Sequence, residues 1–93
     1  MNFRIAYHAA ASHAPPPGAL ELLFERLGPR RGEVSFRKAE HEILATWRGE
    51  APIAMTQDER VETGRRVVLD ILLRICRSAP DLDADWFAIS PRR

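Results

Sequence analysis

The chain has one cysteine, Cys76, and one lysine, Lys38, and its 93 residues contain no long apolar run. A single thiol excludes an internal disulfide and any site built on several cysteines of one chain, and it is the usage of a reducing compartment. No segment approaches the roughly 20 consecutive apolar residues of a membrane span. Arg4 is followed by too short an apolar stretch for a secretory leader. A cytoplasmic protein without membrane attachment is therefore expected. Charge of one sign is also missing: fourteen basic against thirteen acidic side chains leave a formal charge of +1. Bulk electrostatics thus draws the chain neither to phosphate backbones nor to acidic partners. All basic residues but Lys38 are arginine, a bias that GC-rich coding explains without any anionic ligand.

The remaining composition, 45% hydrophobic and 29% charged, is that of a folded globular protein. A chain of this length has room for one core, hence a single domain over 1–93, and it buries only somewhat more than about 60% of its unfolded surface. Phe3, Ile5 and Tyr7 alternate with Arg4 and predict a half-buried strand over 2–8. Pro15, Pro16 and Pro17 offer no backbone donors and force an extended connector. Leu20, Leu23, Phe24 and Leu27 then recur at helical spacing before Gly28-Pro29, which predicts a helix over 18–28.

Val34 and Phe36 alternate with Ser35 and Arg37 in a strand over 33–38. The next segment satisfies two templates, since Ile43, Ala45 and Trp47 alternate while Glu40, Ile43, Leu44 and Trp47 also fit a helix. The strand reading, over 42–48, makes a hairpin with Val34 opposite Trp47 and Phe36 opposite Ala45. Thr56 and Glu59 form a capping box, and Pro80 ends the helix they start, giving a span of 57–78 about 33 Å long. Trp86, Phe87 and Ile89 before Pro91 predict a last strand over 86–90. The order β-α-β-β-α-β is that of ferredoxin-like folds: an α+β domain with a four-stranded antiparallel sheet and two helices on one face.

The long helix carries the strongest functional signal. Val61, Val67, Val68, Leu69, Ile71, Leu72, Leu73, Ile75 and Cys76 cover about two thirds of its circumference, whereas packing on one sheet needs a stripe little over 100° wide. The short helix cannot shield that whole length, so a second surface is expected to meet it. These patterns predict a non-catalytic interaction module, a homo-oligomer such as a dimer or a protein docked on a partner. Leu69, Leu73 and Trp86 are its expected contact residues, with Arg66, Asp70 and Arg74 as a polar rim in which Asp70 pairs with either arginine.

Chemistry is weakly signalled. His8, His13 and His41 lack the spacing of a zinc site, and Asp81, Asp83 and Asp85 resemble a calcium loop only until Trp86 stands where its glycine belongs and Arg92 where its glutamate belongs. No metal and no cofactor are expected. Cys76, on the apolar side of the helix, is expected to have a raised pKa and no nucleophilic role. An alternative is a small cofactor-free enzyme with a cavity between sheet and helices, His8 as general base, His41 as second choice and Tyr7 as hydrogen-bond donor. A further alternative, RNA binding through Phe3, Tyr7, Phe36 and Trp47, lacks the basic and aromatic pattern of RNA-recognition modules, so nucleic acid is a disfavoured partner.

Overall fold

A computed structural model of the protein describes residues 1–50 and 52–92. Alternation builds β1, Asn2–Tyr7, with Phe3 and Ile5 buried. The proline-bearing connector leads to α1, Ala19–Leu27, which buries Ala19, Leu20, Leu23 and Leu27. Gly28 ends this helix at a positive φ of 71° with ψ 179°, its N–H on the Phe24 carbonyl, a backbone geometry that a β-carbon disfavours. Two residues, Arg30–Arg31, form β2, and Gly32, φ 54°, turns the chain into β3, Val34–Lys38. The strand β4, Ile43–Trp47, follows.

The ambiguous segment is a hairpin. β3 and β4 pair antiparallel with Val34 opposite Trp47 and Phe36 opposite Ala45, a register that puts Val34, Phe36, Ile43, Ala45 and Trp47 on one buried face and leaves Leu44 on the other. The helix α2 spans Gln57–Ser78 and begins at the capping box. The 3-10 turn η1, Ala84–Trp86, precedes β5, Phe87–Pro91. The last strand therefore starts one residue later than the sequence indicated. The Asp83 carboxylate accepts the Asp85 amide at 2.9 Å and winds Trp86 into the turn instead.

The described residues form an α+β architecture of two α-helices and a five-stranded antiparallel sheet ordered β2-β3-β4-β1-β5. This departs from the expected four-stranded order. The additional strand β2 pairs through Arg30↔Ser35 and Arg31↔Val34, and two arginines show no apolar alternation from which to read it. Phe3, Ile5, Val34, Phe36, Ile43, Ala45, Trp47, Phe87 and Ile89 fill the helix-facing side of the sheet and join one cluster with the buried residues of α1 and α2. The opposite face is open and polar. Glu42 takes Arg4 at 2.8 Å and Arg92 at 3.3 Å, and Thr46 donates to Asn2 Oδ1 at 3.0 Å.

Candidate functional site

The feature most able to act on another molecule is α2. Its start is fixed by reciprocal capping: Thr56 Oγ1 accepts from Glu59 N, and Glu59 Oε1 accepts from Thr56 N, both at 3.2 Å. Those bonds to Thr56 hold the Glu59 carboxyl below its ordinary range. Stabilisation from this cap is therefore complete above the ordinary carboxylate pKa and is lost as pH falls through the lowered value.

Only Gly64, Val68 and Leu72 of α2 are fully buried. Gly64 is what brings the helix down onto the sheet, because a β-carbon there would lie 2.5 Å from Trp47 Cε3 and 2.8 Å from Phe3 Cζ. The flanks are only half covered. On one side Leu69 and Leu73 border a groove of about 410 Å³ with His8, Ala84, Asp85 and Phe87. On the other, Val67, Ile71 and Ile75 face Arg31 and Glu33 across a groove of about 400 Å³. Leu73 retains 38% of its surface in solvent.

Leu69 and Leu73 thus share one groove, but Trp86 does not line it. Its indole is half-buried against the core, edge-on to Phe87 at 6.3 Å between centroids. Trp86 Nε1 is buried without a hydrogen-bond partner among the described residues. The expected pairing of Asp70 with Arg66 and Arg74 is not formed. Arg66 turns to Glu62 at 3.9 Å instead, the acid-before-base order that a helix favours at this spacing. Among the described residues Asp70 has no ion-pair partner.

The acid-base candidates are dispersed. Tyr7 stacks on Phe87 at 6.0 Å, and its hydroxyl accepts from Leu20 N at 3.0 Å, which satisfies an amide in the first turn of α1. Tyr7→Phe is expected to lower folding stability by about 1 kcal/mol, read from the urea midpoint; an unchanged midpoint would show that this bond contributes nothing. His8 Nδ1 accepts from Ala10 N at 3.0 Å. That bond selects the neutral tautomer with its N–H at Nε2, on the side of the ring away from Ala10. His41 lies in solvent at the hairpin turn, 3.5 Å from Glu40. Among the described residues no group of three His, Cys, Asp or Glu side chains is placed to hold a metal ion.

Burial, with a smaller effect from Asp83, pushes the Cys76 thiol up to about 11, as its place on the apolar side of α2 requires. Phe3, Phe36 and Trp47 point into the core and are at most 5% exposed, so base stacking on the sheet would have to do without them. Among the described residues no helix is long and apolar enough to cross a membrane. Comparison of the chain with family models, curated proteins and solved structures finds no match.

Two residues that position α2 escape a reading of periodicity. Gly64 has no side chain to register in an apolar pattern, although a glycine inside a long helix is itself a signal of close approach. Glu33 accepts the Trp47 indole N–H at 3.0 Å and satisfies the polar end of a buried ring. Only the hairpin register, which sets Trp47 beside the turn before Val34, hints at that contact.

Proposed function

We propose that the protein is a small non-catalytic interaction module that acts by burying the half-covered surface of α2 against another protein chain, a second copy of itself or a distinct partner. The observation that carries this reading is the mismatch on α2: the chain's own core covers Gly64, Val68 and Leu72, while Val67, Leu69, Ile71, Leu73 and Ile75 stay partly in solvent. Burying such surface yields about 25 cal/mol per Å², and apolar flanks beside charged residues are the composition of contact surfaces. Leu69 and Leu73 are the central contacts, with Arg66, Asp70 and Arg74 at the rim. Trp86 belongs to the supporting layer behind the groove.

The fold supports the same reading. Without β2 the sheet order is β3-β4-β1-β5, and we take the domain to be a ferredoxin-like one widened by an edge strand. That frame sets both helices on one side and leaves the outer surface of α2 to solvent. Leu69→Asp combined with Leu73→Asp is expected to reduce a wild-type assembly to monomer in light scattering, or to abolish capture of a partner, with the helical circular dichroism retained. A folded double variant with unchanged assembly and unchanged capture would refute the assignment.

A further inference from the structure

The formal charge of +1 conceals an uneven distribution. The pairing registers draw one line of residues across the outer face of the sheet: Arg30 on β2 lies beside Ser35 on β3, Ser35 beside Thr46 on β4, and Thr46 beside Asn2 on β1. Arg92 completes the line, its amide donating to the Asn2 carbonyl at 2.9 Å. The adjacent line is Arg37, Leu44, Arg4 and Ser90. Four exposed arginines thus share this face, with Glu42 as the acid among them. Positive charge is gathered here beyond the balance of the whole chain.

Two of these cations are held and two are unengaged. Arg4 reaches Glu42 at 2.8 Å and Arg92 reaches it at 3.3 Å, and one carboxylate cannot neutralise both guanidinium groups. Arg30 and Arg37 have no ion-pair partner among the described residues. Between the arginines the floor is polar: Asn2, Ser35 and Thr46 line a depression of about 290 Å³ with Arg37 and Arg92 at its sides.

From this we infer that the outer face of the sheet binds an acidic segment of another protein, laid in extended form across the strands with its carboxylates on Arg4, Arg30, Arg37 and Arg92. The inference goes beyond the α2 reading and does not depend on it, since both helices cover the other side of the sheet. Five strands span about 19 Å, which six extended residues cross, and alternate side chains of such a segment face the sheet together. Planar guanidinium forks match carboxylates in two-point geometry. Nucleic acid has the same sign of charge, but Phe3, Phe36 and Trp47 are buried on the helix side. The outer face therefore lacks the rings on which bases stack.

Fluorescence anisotropy with a labelled peptide of about ten residues, Glu alternating with Ser and long enough to cross the sheet, tests the assignment. Saturable binding that weakens as salt rises is expected, and none when Gln replaces every Glu. Arg30→Glu combined with Arg37→Glu is expected to weaken binding about tenfold or more, since two exposed attractions become repulsions. Both side chains are exposed and unpaired, so the variant keeps its circular dichroism. Arg65→Glu combined with Arg77→Glu on α2 changes the net charge equally and is expected to leave binding within about twofold of wild type.

Wild-type protein that shows no saturable binding of the Glu peptide would overturn the inference. So would equal losses in the two charge-reversed pairs, which would reduce the effect to net charge. Single-stranded RNA of matched length that binds more tightly than the peptide would replace the acidic segment with another class of ligand. Leu69→Asp with Leu73→Asp is expected to retain the peptide, so its effect on assembly or partner capture judges α2 separately.

Discussion

Replacement of Gly64 by valine is expected to destabilise the protein by about 3 kcal/mol or more, enough to leave a domain of this size partly unfolded. The reason is the distance between α2 and the two rings beneath it. A β-carbon at position 64 falls 2.5 Å from Trp47 and 2.8 Å from Phe3, and neither ring has room to retreat, since Phe3 is 0% and Trp47 5% exposed. Alanine gives the sharper comparison. Helix propensity alone favours Gly64→Ala by about 1 kcal/mol, yet overpacking is expected to reverse the sign and leave a net loss of about 1–2 kcal/mol. Urea midpoints would show this directly, and an alanine variant as stable as wild type would mean that helix and sheet are further apart than described. In a Trp47→Phe background the alanine should cost less, because the smaller ring yields space.

Truncating Phe3 to alanine should cost about 3–5 kcal/mol. Phe3 is fully buried on β1, a strand hydrogen-bonded on both sides, to β4 and β5. The ring also supports α2 at Gly64, so the cavity left behind cannot close without separating the helix from the sheet. Its neighbour in sequence provides the control. Arg4 points to the open face, where its ion pair with Glu42 is half-exposed, and Arg4→Ala is expected within about 0.5 kcal/mol of wild type. A loss below about 1 kcal/mol for Phe3→Ala would contradict the alternation on which the sheet is built.

Where structure follows from local pattern, it was legible in the residues. The limits of α2 are set by Thr56, Glu59 and Pro80, three residues whose chemistry is local. The hairpin register follows from Val34, Phe36, Ala45 and Trp47, since one shifted residue would turn the indole outward. What the pattern concealed depends on partners distant along the chain. Arg30–Arg31 joins the sheet only because β3 lies within reach. Asp83 diverts Trp86 from the strand through one side-chain bond to an amide. Gly64 matters because of two rings in close contact with it, Trp47 and Phe3, the second of them at the other end of the chain, a relation absent from any local window of sequence. The site divides in the same way: the excess apolar girth of α2 was visible, but how Asp70, Arg66 and Glu62 distribute their charges was decided by side-chain geometry.

The borders of the sheet restrict how the molecule can meet another. One is β2, only two residues long and both of them arginine. The other is β5, which ends in Pro91, a residue with no amide hydrogen to lend a neighbouring strand. Brevity, positive charge and proline are the means by which natural sheets resist being lengthened by an added strand. Added backbone pairing is thus discouraged at both margins, which favours recognition through side chains on a helix or a face, where a handful of substitutions can retune it without touching the hydrogen-bonded frame.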